Sequence, residues 1–402
     1  MRLLLADPID TQPLEELKLL GVDVVTGFDL TRDTLPAALS GVGILVVRQT
    51  EVTAAAIEGA RELNLIVRAG AGVGNIDVEA ASARGVYVAN CPGKNAAAVA
   101  ELVLGMAVAL DRRLVEAHGD LMAGRWDRAK YATEAGLLGR RLGVVGFGPT
   151  AQEVVQRARA FGMKPSAWAR SLSAMRAQRH EVGYAPTLER LAATSDVLSV
   201  HLPLNAQTRG ILGRSVLEAL PHGAIVINTA RAELFDLAAL REVAPAKQLR
   251  LGFDVQPGEP REPKAVFESP LASFPKVLLT PHIGGSTRQA QRAIAEELVR
   301  VVRSFLTEEN VPNVINVCAT SPARWVVVLR QLDKVGALAN TLNVLKRHGI
   351  NIEEISNTVF EGARSVCTKL RVSGRPSDAC LREINAFEET LHVDVFQMPN
   401  RA

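Results

Sequence analysis

Three short segments in the second half of the 402-residue chain carry side chains able to move a proton and hold a carboxylate. They are Asn228-Thr229-Ala230-Arg231, Asp254-Val255-Gln256-Pro257-Gly258-Glu259-Pro260 and Thr280-Pro281-His282-Ile283-Gly284-Gly285-Ser286-Thr287. Hydride transfer on a 2-hydroxy acid needs a cation for the carboxylate, a base for the hydroxyl proton, and a carboxylate that orients the base and stabilises its charged form. Arg231, His282 and Glu259 supply these residue types in that order. Singly, each has an ordinary explanation, a surface ion pair or a loop histidine bonded to backbone. Their placement beside a fourth motif changes that.

The fourth motif is Leu142-Gly143-Val144-Val145-Gly146-Phe147-Gly148-Pro149-Thr150-Ala151, a G-x-G-x-x-A pattern after an apolar run and before a helical one. In a dinucleotide site Gly146 makes the tight turn, Gly148 lets backbone approach a pyrophosphate, and small Ala151 brings helix against sheet. The helix start, with Phe147, Pro149 and Thr150 around it, would face the phosphates with free N–H groups and a positive dipole end. A site preferring NAD places an acid about 20 residues on. Here the stretch is Ser166-Ala167-Trp168-Ala169-Arg170-Ser171, without an acid, so Arg170 and Ser171 permit a 2′-phosphate and hence NADP. The alternative is that Arg170 lies along the adenine or in solvent. His201, Thr229, Ala230 and Gly284, at or just after strand ends, are expected to line the same crevice.

These motifs require a scaffold that brings strand ends together. Over the first 90 residues, Leu3–Leu5, Val22–Val25, 43–47, Leu65–Val67 and Val86–Val88 read as strands, with helices near 13–20, 33–40, 53–60 and 78–84. A long helix runs from Asn95 to about His118. Six further strands follow, from Leu142, Lys164, Val197, Ala224, Leu249 and Val277, with crossover helices between them. The alternation argues α/β layers, here a doubly wound parallel sheet. A helix over 287–305 precedes a stretch with two prolines and three asparagines, read as a linker. The remainder reads β-α-β-β-α-β, the ferredoxin-like order.

Composition narrows the class. At about 150 residues per domain, the length predicts two or three domains. The net charge of +3, without a basic run, gives no nucleic-acid signature. Cys91, Cys318, Cys367 and Cys380 are too scattered for a metal pair or a disulfide framework, and fit a cytoplasmic protein. The N-terminus reaches Asp7 and Pro8 too soon for a signal peptide, and the apolar run Leu102–Leu110 falls short of the ~20 residues of a membrane span.

With these motifs go Val47-Arg48-Gln49-Thr50-Glu51-Val52-Thr53, Arg68-Ala69-Gly70-Ala71-Gly72-Val73-Gly74-Asn75-Ile76-Asp77 and Asn95-Ala96-Ala97-Ala98-Val99-Ala100-Glu101. Together they make the chain resemble the D-isomer-specific 2-hydroxyacid dehydrogenase family, and within it the branch that acts on 3-phosphoglycerate and ends in an ACT domain. The resemblance implies a discontinuous, flavodoxin-like substrate domain from 1–94 and 285–310, a Rossmann-type dinucleotide domain over 95–284, a linker at 311–322, and an ACT domain over 323–402. It implies Arg231 as the substrate-binding arginine, Glu259 as the partner of His282, His282 as acid/base, and Asp254 as a partner of the nicotinamide amide.

By the same resemblance the backbone of Ala71, Gly72, Val73 and Gly74 faces the substrate carboxylate. Gly72 and Gly74 suit close backbone approach and unusual φ. The implied reaction is hydride transfer between the C2 hydroxyl of 3-phosphoglycerate and NAD or NADP, the first step of L-serine synthesis. Alternatives are an NADPH-dependent glyoxylate or hydroxypyruvate reductase and, from another class, a dinucleotide-sensing, corepressor-like binding protein. Arg48 is the best candidate for a phosphate group, with Lys94 and Arg128 behind it.

Asp333, Gly336 and Asn351 match the ACT effector loops, for which L-serine is the candidate ligand. A homo-oligomer, dimer or tetramer, is expected, with neither nucleic acid nor membrane as partner and no metal. Three positions depart from the family: Ala232-Glu233 after the arginine, Gln256 where an aromatic is usual, and Val335 in place of a proline.

Overall fold

The computed structural model describes residues 1–260, 264–308, 310–318 and 321–398. The chain forms two compact units, Met1–Asn316 and Val317–Ala402. The linker expected over 311–322 and the tail running to 402 extend over 319–320 and 399–402, which lie outside the described residues.

Among the described residues the first unit holds two parallel sheets. The five-stranded one comprises Arg2–Leu5, Asp23–Thr26, Ile44–Val47, Leu65–Arg68 and Tyr87–Asn90, in spatial order 2-1-3-4-5. Ile44–Val47 is buried along its whole length, as an inner strand covered on both faces must be. Each such aliphatic side chain contributes on the order of 1.5–3 kcal/mol by leaving water. One cover is the amphipathic helix Arg288–Thr307, whose Ile294, Leu298, Val301 and Val302 pack with Leu3, Leu5, Val46 and Val67. Residues just beyond that helix are held to the sheet as well. Ile315 donates its N–H to Val88 O at 2.9 Å, and the Asn316 amide bonds Val88 N and Val86 O at 2.8 Å each.

The second sheet has seven strands where six were expected: Arg141–Val145, Lys164–Trp168, Gly183–Tyr184, Val197–Val200, Ile225–Asn228, Arg250–Phe253 and Val277–Leu279. Counted along the chain their order is 3-2-1-4-5-6-7, the doubly wound plan. The additional strand pairs only two residues at the sheet edge, too few to leave an alternating pattern in the sequence. The reversal between Arg141–Val145 and Val197–Val200 opens the crevice at which the glycine motif sits.

The long helix expected from Asn95 to His118 is two helices, Ala96–Asp111 and Leu114–Met122. The first ends because buried Asp111 turns to Arg140 Nη1, 2.7 Å, and Gly136 N, 3.0 Å. Arg113 then reverses the chain at φ +51°.

The second unit is β-α-β-β-α-β: strands Trp325–Leu332, Ile352–Val359, Ser365–Val372 and Thr390–Gln397 in antiparallel order 2-3-1-4. Val344 and Leu345 of one helix and Ile384 of the other complete a core with Val327, Leu329 and Leu370. No helix among the described residues is long and apolar enough to cross a membrane.

Candidate active site

The candidate proton-handling residues come together at the carboxyl ends of Arg250–Phe253 and Val277–Leu279. His282 Nδ1 lies 2.7 Å from Glu259 Oε1, and the imidazole side chain is 44% exposed. Nδ1 is thus occupied, and among the described residues no group bonds Nε2, which leaves that nitrogen for a ligand. His282 holds φ +54°, costly for a residue with a Cβ and sustained by bonds on both sides. Its N–H reaches Asp254 O at 2.7 Å and Thr280 O at 3.0 Å. Partial burial alone would raise the Glu259 carboxyl, but the hydrogen bond with His282 and the nearby positive charges hold it below its usual range.

Two further residues brace this pair. Buried Asp254 accepts Thr280 Oγ1 at 2.6 Å and Ile283 N at 2.8 Å on one oxygen, and Gly284 N at 2.8 Å on the other. Its carboxylate therefore shapes the histidine loop, and Oδ2 receives a single donor. Gln256, where an aromatic is usual, is equally engaged. Its Nε2 donates to Phe253 O at 3.1 Å and Thr280 O at 3.3 Å, Ser269 Oγ donates to its Oε1 at 2.6 Å, and its N–H reaches Glu259 Oε2 at 3.2 Å. One side chain thus ties the glutamate loop to the histidine loop.

Facing this corner is a concentration of positive charge. Arg231 follows Ile225–Asn228, its loop fixed by buried Asn228, which donates to Arg231 O at 2.9 Å and accepts Ala230 N at 3.0 Å. A Cβ on Gly72 would sit 3.0 Å from Arg231 Nη2, which brings the 71–74 loop against the arginine. No acceptor among the described residues meets the backbone N–H groups of Ala71, Gly72, Val73 and Gly74. Gly72 and Gly74 do not adopt the unusual φ expected of them; Gly70 does, at +149°.

Beside it lies Arg68, which the sequence reading passed over. A Cβ on Gly70 would meet the Arg68 guanidinium, the far end of a flexible side chain, so it is chiefly the φ of +149° that calls for glycine there. Arg68 Nε is buried without a partner among the described residues, and burial, then the charges of Arg231 and Arg48, lowers the Arg68 pKa to about 10. Arg48 joins the cluster from the neighbouring strand end and donates to Ser286 Oγ at 3.3 Å. Asp7 fixes that loop by accepting the N–H groups of Arg48, Gln49 and Thr50 at 2.6–3.0 Å.

Other candidates stand apart. Lys94 is paired with Glu297, 3.1 Å away; Arg128 is exposed; and Glu233 is exposed and forms no ion pair with Arg231 among the described residues. In the second unit Asp333 and Gly336 are exposed at the strand-to-helix turn, Gly336 at φ +87°, while the Asn351 amide donates to Glu353 Oε1 at 2.7 Å.

The crevice fits a dinucleotide on three observations. Gly146, at φ +94°, leaves no space for a Cβ, which would lie 2.6 Å from His201 O. The helix Pro149–Ala160 begins at Gly148 with no side-chain cap on its first N–H groups, and nothing lies within 4 Å of a Gly148 Cβ. Thr229 Oγ1 is buried without a partner in the strand-end loop it shares with Ala230. Around them, Phe147 and Ala151 are buried, Thr150 is half-buried, and Arg170 and Ser171 are exposed beyond the second strand. His201 Nε2 is 2.8 Å from Ser199 Oγ, and burial lowers that imidazole to about 4, so it stays neutral.

Known proteins share this arrangement. Residues 104–284 match the NAD-binding domain of the D-isomer specific 2-hydroxyacid dehydrogenases. A D-3-phosphoglycerate dehydrogenase of Methanocaldococcus jannaschii is 37% identical over 78% of this chain and 60% of its own. A hydroxypyruvate reductase of Thermotoga maritima is 39% identical over 74% of this chain and 95% of its own. The crystal structure of the TT0316 protein from Thermus thermophilus matches with a TM-score of 0.69 at 32% identity, over 78% of this chain and all of that one. The chain spans about 60% of the length of the curated phosphoglycerate dehydrogenases of Methanocaldococcus jannaschii and Archaeoglobus fulgidus.

Proposed function

The chain belongs to the D-isomer specific 2-hydroxyacid dehydrogenases, and from that premise we propose that it is a D-3-phosphoglycerate dehydrogenase catalysing the first step of L-serine synthesis. The observation that carries this reading is the cation corner. A plain 2-hydroxy acid has one anionic group, whereas Arg48, Arg68, Arg231 and four unpaired amides offer more positive charge than one carboxylate requires. Half-buried Arg68, whose Nε is buried and without a partner among the described residues, supports a second, doubly charged group on the substrate. In this reading Arg231 and the amides of 71–74 hold the carboxylate, and Arg48 and Arg68 hold the phosphate.

When bound, the nicotinamide supplies the hydride acceptor for C2. The glycine loop, the helix start at Pro149 and Thr229 would hold its phosphates and ribose, and Asp254 and Gly284 would border its nicotinamide end. The chain's own residues manage the proton. His282 Nε2 takes the C2 hydroxyl proton, while Glu259 keeps the remaining ring proton on Nδ1 and stabilises the imidazolium. In the reverse direction the imidazolium returns the proton. Glu259, held below its usual range, stays ionised through mildly acidic pH and keeps that role.

A second reading, a hydroxypyruvate or glyoxylate reductase, is supported by the near full-length similarity to the Thermotoga protein and by the missing acid after Trp168. Turnover of 3-phosphoglycerate, glycerate and hydroxypyruvate with each cofactor separates the two. Preference for the phosphorylated acid is expected, and preference for hydroxypyruvate would overturn the proposal.

The second unit we read as an ACT module, a reading supported by its strand order and by the exposed turn at Asp333 and Gly336, with L-serine as effector. Titrating L-serine is expected to lower the rate; neither inhibition nor heat of binding would leave the unit a structural role. The four unpaired cysteines support a cytoplasmic enzyme, and the family a homo-oligomer.

A further inference from the structure

We propose that Asn90 is a positioning residue for the substrate carboxylate: it aims the first backbone amides of the 71–74 loop at the anion, and is itself held in place by the segment 313–316. The inference rests on the proposed reading of the cation corner and concerns the carboxylate that every 2-hydroxy acid carries.

Backbone amides can hold an anion only where the neighbouring carbonyls point elsewhere. In a planar trans peptide the carbonyl of one residue and the N–H of the next point to opposite sides, so anchoring a carbonyl aims the following amide. Cys91 N donates to Gly70 O at 2.9 Å, which sends the Ala71 N–H the other way. Asn90 Nδ2 donates to Ala71 O at 2.6 Å, which does the same for the Gly72 N–H. Neither N–H meets an acceptor among the described residues, and Gly72 is the residue that lies against Arg231 Nη2. Of the two anchors, only that of Asn90 is a side chain.

The far end of the loop is fixed independently. Asn75 Nδ2 donates to Thr50 O at 2.8 Å, and Asn75 O accepts Val52 N at 2.8 Å. Loss of the Asn90 bond would therefore free the 71–74 amides at one end without detaching the loop. Asn90 can serve as an anchor because its own backbone is pinned. It ends the strand Tyr87–Asn90, with Arg68 as its register partner on the inner side. On the outer side its N–H reaches Asn313 O at 3.3 Å, beside the bridge between Ala89 and Val314. Asn313 donates in turn to buried Glu297, 2.5 Å away.

The test compares the full chain with Asn90→Leu, which removes the donor at similar size. Amides that hold the carboxylate alike in ground and transition states act on KM rather than kcat. KM should rise about three- to tenfold for 3-phosphoglycerate and by the same factor for glycerate, the worth of one hydrogen bond, with kcat changed less than about twofold. Cofactor affinity, measured by calorimetric titration, should stay unchanged. Asn90→Ser, which keeps a donor, should lie between the two, and decides by the same comparison if Asn90→Leu does not fold. An unchanged KM, a loss confined to the phosphorylated acid, or a cofactor affinity that falls as far as substrate affinity would overturn the assignment. Preference of the parent chain for hydroxypyruvate would overturn the phosphoglycerate reading alone, and the same rise in KM is then expected for hydroxypyruvate. Turnover of none of the three acids would overturn both.

Discussion

The two corners of the site are built on opposite principles. In the proton corner, Asp254, Gln256, Glu259, Thr280 and the N–H and Nδ1 of His282 find partners within the chain. In the cation corner, Arg68 Nε and the amides of 71–74 find none among the described residues, and the charges of Arg231 and Arg48 oppose that of Arg68. On the proposed reading, the difference marks where the protein invests in advance. Proton transfer needs a base held still in the right tautomer, so its surroundings are complete before substrate arrives. Anion binding gains from donors kept unsatisfied, because each bond to the ligand then replaces a deficit rather than an existing contact.

Breaking the proton corner should have the largest effect. His282→Ala is expected to lower kcat by about 10²–10⁴-fold with cofactor affinity nearly intact, the usual worth of a positioned acid/base. A near-normal rate would remove the assignment. Glu259→Gln should follow, costing about one to two orders of magnitude in kcat and altering the acid limb of the pH–rate profile, since the imidazolium loses its counter-charge. An unaltered profile would show that Glu259 only packs.

In the cation corner the comparison predicts the reverse sign for stability. Arg68→Met removes a half-buried charge that Arg231 and Arg48 oppose, so the ligand-free melting temperature should hold or rise. Added substrate should raise the melting temperature of the parent chain and much less that of the variant. A clear fall in the ligand-free variant would mean that Arg68 is already satisfied.

The smallest effects concern the braces. Gln256→Leu severs the tie between the two catalytic loops and should cost about 1–3 kcal/mol in unfolding free energy, measured by urea denaturation. Far from both corners in role, Glu297 is held at about 2 by Arg300, Asn313 and Lys94, against an ordinary 4.5. A depressed carboxylate contributes stability above its unfolded pKa and loses it as pH falls through the folded one. Acid unfolding should therefore steepen between about 4.5 and 2, and Glu297→Gln should flatten that window.

The sequence and the structure agree most closely where side chains announce their chemistry locally. Arg231, Glu259, His282 and the Gly146 loop each sit in a short motif at a strand end, and the alternation of apolar runs fixes which ends those are. Arg68 was not legible because it closes the apolar run Leu65–Val67 and reads as an ordinary charged strand end. Gly70, two residues on, was the available signal, since a glycine there allows the φ of +149° that turns the chain beside the arginine.

Asp7 was hidden for a related reason. Its partners lie about 40 residues away, and its neighbours suggest only a turn. The helix break at Arg113 depends on the burial of Asp111 against Arg140, a tertiary contact that periodicity does not carry. The two-residue strand Gly183–Tyr184 is set by the edge it pairs with rather than by its own pattern.

One measurement bears most directly on the claim that the cation corner receives a phosphate. It is the ratio of kcat/KM for 3-phosphoglycerate to that for glycerate, in the parent chain and in Arg48→Ala and Arg68→Gln. The account predicts a ratio well above unity that falls by about tenfold or more in each variant, because each arginine contributes to the phosphorylated substrate and little to the other. A ratio near unity in the parent chain, or equal losses on both substrates in the variants, would contradict it.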